Sequence, residues 1–163
     1  MSTLDNLKEA FAGESQANRK YLAFAKKADE EGYHQVARLF RAAAAAETVH
    51  AHNHLTVMKG IQNTEENLKV AIAGEVEEFK EMYPAFIEES KEEKNDAATW
   101  SFDVANKVEE IHAGLYEKAL DTLGENVETT YFVCNFCGNT VEKNAPDICS
   151  VCGAPKKEFL KIE

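Results

Sequence analysis

The feature that most constrains the fold is an internal repeat in this 163-residue chain. The segment Ala10–Glu14 (AFAGE) is matched by Ala71–Glu75 (AIAGE), and Glu47–Ala51 (ETVHA) is matched by Glu109–Ala113 (EEIHA). All four segments lie in stretches whose apolar residues recur every three or four positions, which is the spacing of amphipathic helices in a bundle. The repeat therefore predicts two similar helical hairpins that together form one pseudo-symmetric, all-α four-helix bundle.

Local signals place the helix boundaries and the end of the bundle. Four helices are predicted between about residues 4 and 123, with breaks near residues 31–33, 59–64 and 94–96. Gly60 predicts the end of the second helix, and Asn63 with Glu66 fits a capping box that opens the third. Pro84 predicts a kink in the third helix, because proline has no backbone N–H to donate to the carbonyl of Lys80. The polar segment 121–130 predicts a linker, so we expect domains at 1–125 and 126–163.

Acidic residues interrupt the apolar stripe near the middle of every predicted helix. Residues three apart share a helix face, so the pairs Glu47/His50 and Glu109/His112 can each bind a cation. One glutamate from each of two helices, combined with a Glu-x-x-His pair from each of the others, is the constellation of di-iron and di-manganese carboxylate proteins. The single glutamates here are Glu14 and Glu75, and the third helix adds Glu78.

The electrostatic cost of these acids supports a metal site. Moving one carboxylate into a medium of low dielectric has an idealised Born cost of about 20 kcal/mol, which relaxation reduces to several kcal/mol. Five glutamates in one bundle interior therefore require positive charge, and two divalent or trivalent cations supply it. A single glutamate on such a stripe is usually a partly solvated position, so the hypothesis depends on the matched pattern in all four helices.

Four cysteines near the carboxyl end predict a second metal site. They form two Cys-x-x-Cys pairs, each followed by glycine: Cys134, Cys137, Cys149 and Cys152. Two such pairs can place four thiolates around one tetrahedral ion, and iron and zinc both accept this arrangement. The spacing of the cysteines therefore does not distinguish iron from zinc. The short, turn-rich sequence around these cysteines predicts a small β-rich knuckle.

Composition excludes several classes of function. A net charge of −11 argues against a nucleic-acid partner, because phosphates require a basic surface. No apolar run approaches the roughly 20 residues that span a bilayer, and the first residues lack the pattern of a signal peptide. We therefore expect a cytoplasmic protein without a membrane partner, in which paired thiols bind metal.

At this point the residues resemble the rubrerythrin family, in which a ferritin-like di-iron bundle precedes a rubredoxin-like domain with iron held by four cysteines. The matching stretches are residues 10–21, 47–50, 74–83, 109–112 and 134–156. The resemblance implies seven di-iron ligands, namely Glu14, Glu47, His50, Glu75, Glu78, Glu109 and His112. It also implies that iron, with zinc as a substitute, occupies the cysteine site.

The resemblance further implies a peroxidase that reduces hydrogen peroxide to water and protects against oxidative stress. Glu78 and His50 would alternate as ligands when the redox state changes, while Tyr21 and Tyr83 would orient carboxylates. Electrons would come from a carrier such as rubredoxin or from an NAD(P)H-dependent reductase. The alternatives are a ferroxidase or iron-handling protein, and a zinc-ribbon interaction module on an inert bundle.

The connection between the second and third helices bears on assembly. Ferritin-like bundles join these helices by a crossover that runs the length of the bundle. Residues 60–64 reach only about 17 Å, whereas a helix of some 25 residues measures about 38 Å. We therefore expect a homo-oligomer, a helix-swapped dimer in preference to an up-down-up-down bundle within one chain.

Overall fold

The computed structural model describes residues 2–163, and its elements confirm the helical region followed by a small sheet. The first hairpin consists of α1 (Thr3–Glu30) and α2 (His34–Val57). The third predicted helix is divided into α3 (Thr64–Glu77), a π-helical turn (Glu78–Met82) and α4 (Tyr83–Glu92), and the fourth is α5 (Asp96–Asp121). Residues 2–62 and 63–163 form two compact units, which are described separately. No described helix is sufficiently long and apolar to cross a membrane.

Backbone turns end the helices where the sequence predicted breaks. After α1 ends at Glu30, the chain turns at Gly32, whose φ of 83° lies in the left-handed region that glycine tolerates best. The prediction for α2 was one residue off, because Lys59 (φ 56°) takes the left-handed position in place of Gly60. The N–H of Gly60 instead donates to the carbonyl of Leu55 at 2.9 Å, completing a Schellman motif. At the other end of this linker, the Asn63 side chain caps α3 by accepting from the Glu66 N–H at 2.9 Å.

Small side chains allow α1 and α2 to pack closely in the first unit. The buried apolar residues are all alanines: Ala25, Ala28, Ala37, Ala44 and Ala51. Asn18 is buried with them, and its amide donates to the Ala44 carbonyl at 2.7 Å and to the Thr48 hydroxyl at 2.8 Å. The rings of Tyr21, Phe24 and Phe40 form a cluster beside this interior, with centroids 5.6–6.4 Å apart.

The second unit repeats this architecture with one inserted residue. Helices α3 and α4 pack against α5, and the rings of Tyr83, Phe86 and Phe102 form the equivalent aromatic cluster, with centroids 5.5–6.3 Å apart. Tyr21 follows Glu14 by seven positions, whereas Tyr83 follows Glu75 by eight. The π-helical turn between Glu75 and Tyr83 takes up this extra residue, as single-turn π bulges do. Pro84 follows this turn at the start of α4, and the kink expected from it stays a prediction.

The carboxyl-terminal part of the second unit is a three-stranded antiparallel sheet. Strand β1 (Tyr131–Cys134) lies between β2 (Thr140–Glu142) and β3 (Phe159–Ile162). Its small core includes two of the cysteines, and its buried members are Cys134, Ala145, Cys149, Ala154 and Phe159. The domain boundary expected between residues 125 and 126 falls between α5 and β1 and stays a prediction.

Candidate metal centres

The four cysteines converge as the sequence predicted. All four are free thiols, and their sulfur atoms lie within 4.8 Å of one another. The Sγ–Sγ distance is 3.7 Å between Cys134 and Cys152 and 3.6 Å between Cys137 and Cys149. A tetrahedron with metal–sulfur bonds of about 2.3 Å has edges of about 3.8 Å. The thiols are therefore already spaced for one four-coordinate ion.

The two halves of the cysteine site have the same backbone hydrogen bonds. The N–H of Gly138 donates to the Cys134 carbonyl at 2.8 Å, and the N–H of Gly153 donates to the Cys149 carbonyl at 3.0 Å. Both glycines have φ near 80°, so the turns require residues that tolerate the left-handed region. This geometry directs amide N–H groups of the following residues at the sulfurs, which stabilises thiolates.

Cys149 is the cysteine whose thiolate form is stabilised most strongly by its surroundings. Burial opposes its ionisation, but the backbone N–H groups of Cys152 and Val151 and the Asn139 side chain together lower its pKa to about 6. The Asn139 amide donates to Cys149 Sγ at 3.4 Å, and Asn139 is itself 1% exposed. Ala154 takes the equivalent place in the other half of the site, so this side-chain hydrogen bond breaks the symmetry between the halves.

The first hairpin brings together one of the predicted carboxylate–histidine sets. Ligand atoms of Glu14, Glu47 and His50 lie within 4.8 Å of one another. His50 Nδ1 is 2.9 Å from a Glu47 carboxylate oxygen and 3.9 Å from one of Glu14. We call this set the first triad.

The second unit contains a matching set, which we call the second triad: Glu75, Glu109 and His112. His112 Nδ1 is 2.7 Å from a Glu109 oxygen and 3.8 Å from one of Glu75, almost the same distances as in the first triad. The sequence repeat thus extends to the side-chain geometry. Each unit thus has one Glu/Glu/His triad, with the kinds of donor group found in di-iron carboxylate sites.

The charges in the triads fit a bound cation. Within residues 2–163, the ion pairs made by the four triad glutamates are all with the two triad histidines. Burial, followed by the neighbouring Glu109 carboxylate, raises the pKa of Glu75. A half-buried acidic cluster of carboxylate oxygens and imidazole nitrogens suits iron or another first-row metal, which would replace the missing positive charge.

Glu78 lies at the first residue of the π-helical turn, one turn after Glu75. Burial raises the pKa of its carboxyl, and the Glu109 carboxylate adds to this effect. The pKa of the Tyr83 hydroxyl is raised by burial and then by Glu109, Glu78 and Glu75. Both residues therefore lie within electrostatic reach of the second triad. Tyr21 packs against the rings of Phe24 and Phe40, and its predicted role in orienting a carboxylate stays a prediction.

Comparison with known proteins agrees with both sites. The family model for rubrerythrin matches residues 5–120, and the model for the rubrerythrin rubredoxin-like domain matches residues 132–160. The chain belongs to the rubrerythrin family. Membership confirms the ferritin-like helical fold with a rubredoxin-like knuckle, and it identifies the two kinds of metal site as a di-iron carboxylate site and a four-cysteine iron site.

Individual members of the family match over nearly the whole chain. Rubrerythrin-2 of Clostridium acetobutylicum is 34% identical, over 96% of this chain and 95% of the relative. Nigerythrin of Nitratidesulfovibrio vulgaris is 37% identical, over 97% of this chain and 85% of the relative. A solved structure of fully reduced, all-ferrous nigerythrin has a TM-score of 0.60 at 36% identity, covering 99% of this chain and 87% of that one.

Two polar residues next to the cysteine site were not predicted from the sequence. Asn139 donates to a cysteine sulfur, and Thr140 lies 2.9 Å from His112 of the second triad. Asn139 lies in the connection between β1 and β2, and Thr140 is the first residue of β2; polar residues are common at such positions for many reasons. No local signal in the sequence distinguishes these two from other turn residues.

Proposed function

We propose that this protein is a peroxidase that reduces hydrogen peroxide to water, with electrons relayed through the four-cysteine iron site. The observation that carries the proposal is the presence in one chain of two carboxylate–histidine triads and a four-thiolate site. The family and its iron-containing relatives support the same conclusion. In the reaction the O–O bond of peroxide breaks, and two electrons and two protons convert it into two water molecules.

The chain's own residues would hold the metals and control their ligands. The six triad residues and Glu78 form the proposed di-iron ligand set, while the cysteines hold the third iron. A di-iron site, when bound, supplies a pair of electrons at one place. His50 is the more exposed histidine, with 53% of its side chain accessible against 27% for His112, which supports its proposed exchange with Glu78. We assign Tyr21 and Tyr83 the role of steadying carboxylates.

The electrons must come from outside the protein. We propose a small carrier such as rubredoxin or an NAD(P)H-dependent reductase as the donor, in the reducing environment of the cytoplasm, where thiols stay available for metal. The four-cysteine site is a one-electron centre, so it would pass the two electrons one at a time.

The peroxidase proposal is tested with iron-loaded protein reduced without oxygen. We expect two equivalents of hydrogen peroxide per chain, which exceed the three electrons held by three ferrous irons, to reoxidise the protein rapidly and restore the red colour of ferric iron in four thiolates. The variant Glu47→Ala/Glu109→Ala is the control, because it keeps the cysteine site but loses a ligand from each triad. Equal and slow reoxidation of both proteins would contradict the proposal. A large closed shell in size-exclusion chromatography would instead favour iron storage.

We also propose that each di-iron site forms from two chains in a helix-swapped dimer. Each hairpin has only one triad, so a complete site requires two hairpins. The Schellman motif fixes the start of the linker, and residues 60–64 span at most about 17 Å, against about 36 Å for the 24 residues of α2. Residues Leu39, Val49 and Val57 are more than half exposed, consistent with a hairpin face that needs a partner.

Complementation between variants tests the swap. Chains with Glu47→Ala/His50→Ala and chains with Glu109→Ala/His112→Ala would carry different tags, so that only mixed dimers are purified. A swapped mixed dimer contains one intact site and one doubly damaged site, and we expect it to recover about half of the di-iron content. An unswapped mixed dimer has no intact site, so absence of di-iron in the mixed dimers would exclude the swap.

A further inference from the structure

The rubredoxin-like knuckle contacts α5 along one face of the helix, within the second unit. The backbone of Gly138 lies against Val108, because a Cβ added to this glycine would be 3.7 Å from a Val108 methyl group. Farther along α5, the Lys118 ammonium contacts the Glu142 carboxylate at 2.5 Å. Between these two contacts, His112 of the second triad meets Thr140 at the start of β2.

The Thr140 hydroxyl forms two hydrogen bonds, and their directions follow from its single hydrogen. Thr140 Oγ1 donates to the Gly138 carbonyl at 3.1 Å and lies 2.9 Å from His112 Nε2. Since its hydrogen is directed to Gly138, the hydroxyl can only accept from the imidazole. A donor at Nε2 leaves Nδ1, which faces Glu75 and Glu109, as the nitrogen that would bind a cation in the second triad.

This arrangement gives the two histidines different constraints. His112 is held from both sides, by the carboxylates at Nδ1 and by Thr140 at Nε2. His50 is more exposed and lies in the unit that has no cysteine site. Gly138, the acceptor for Thr140, directly follows Cys137, so the hydroxyl joins the residue next to a sulfur ligand to the ring of a triad ligand.

We propose that Thr140 is a positioning residue that fixes His112 with Nδ1 toward the second triad and links this triad to the four-cysteine site of the same chain. This inference rests on the proposed function in one respect, since the link would carry the electrons that peroxide consumes. An outer hydrogen-bond partner of this kind typically changes affinity or activity by about 10- to 100-fold when it is removed.

Two substitutions of Thr140 distinguish the effect of the hydroxyl group from the effect of the side chain's shape. Thr140→Val keeps the branched shape and removes the hydroxyl, while Thr140→Ser keeps the hydroxyl. In full-length, zinc-loaded, ¹⁵N-labelled protein, we expect a His112 Nε2–H proton protected from exchange with water in the wild type and in Thr140→Ser. The same proton should exchange freely in Thr140→Val. Retention of a protected Nε2 proton in Thr140→Val would overturn the positioning role.

The second measurement concerns electron transfer in iron-loaded protein. After addition of two equivalents of hydrogen peroxide per chain, we expect the red ferric four-thiolate colour to return at least about tenfold more slowly in Thr140→Val than in Thr140→Ser or the wild type. An unchanged rate in Thr140→Val would overturn the link between the sites. If peroxide fails to oxidise the wild type at all, the proposed function fails, and the NMR comparison still decides the role of Thr140.

Discussion

The hydrogen bond from Asn139 to Cys149 leads to a quantitative prediction for the four-cysteine iron site. Reduction adds one negative charge to the metal–thiolate group, so an N–H directed at sulfur binds the reduced form more strongly. The Asn139 amide donates to Cys149 Sγ at 3.4 Å from a position that is 1% exposed, where water cannot replace it. Replacing Asn139 with alanine would give this half of the site the residue found in the other half, at Ala154.

The size of the effect follows from the strength of one hydrogen bond. A net contribution of about 1 kcal/mol is typical. For a one-electron couple, 59 mV corresponds to about 1.4 kcal/mol, so the Asn139→Ala variant should have a reduction potential about 40 mV below that of the wild type. The contact is long for a hydrogen bond to nitrogen or oxygen but ordinary for sulfur, so we expect a shift within about 20–60 mV.

The assay is a redox titration of the visible spectrum of the ferric four-thiolate site. Ser150→Ala is the matched control. Ser150 is exposed, and its hydroxyl accepts a hydrogen bond from the same Asn139 amide at 3.4 Å, but this hydrogen bond does not involve a cysteine sulfur. The control should keep the potential of the wild type. A potential in Asn139→Ala within about 10 mV of the wild type, or an equal shift in Ser150→Ala, would refute the assignment of this hydrogen bond.

Two further predictions concern stability. Because burial and Glu109 raise the folded pKa of Glu75 above its ordinary 4.5, the metal-free protein should lose stability as pH rises through that raised pKa. Metal-free Glu75→Gln should therefore melt at a higher temperature than the wild type at pH 7, with the difference shrinking toward pH 5; a constant difference would contradict this. Asn18→Ala removes two hydrogen bonds between α1 and α2, one buried and one partly buried, and should destabilise the protein by about 1–3 kcal/mol in chemical denaturation, whereas the exposed Gln16→Ala should change little.

The sequence was sufficient for the parts of the structure that depend on periodicity and spacing. Helical repeats and Cys-x-x-Cys pairs are local patterns, so the helices, the two triads and the four-thiolate site were predicted from them. The π-helical turn was not predicted, although the extra residue between Glu75 and Tyr83 is visible when the two halves of the repeat are compared. An inserted residue can form a bulge, a kink or a longer loop, and only packing of the second unit selects among them.

Contacts between distant segments explain the other differences. Thr140 meets His112 across 28 positions, and nothing in either local sequence indicates that the knuckle packs on α5. The contact between Asn139 and Cys149, in the other half of the cysteine site, also joins separate segments and was not predicted from the local sequence. At the end of α2, lysine in place of glycine in the left-handed position shows that a Schellman motif can outweigh the conformational preference of one residue.

The central claim is that the two carboxylate–histidine triads bind a pair of irons in addition to the iron held by four cysteines. Iron analysis combined with Mössbauer spectroscopy of the protein, loaded with iron under anaerobic conditions, tests this claim directly. We predict three irons per chain, with two parts of the signal from a binuclear oxygen- and nitrogen-ligated site and one part from a tetrahedral sulfur site. One iron per chain, all of it ligated by sulfur, would contradict the account.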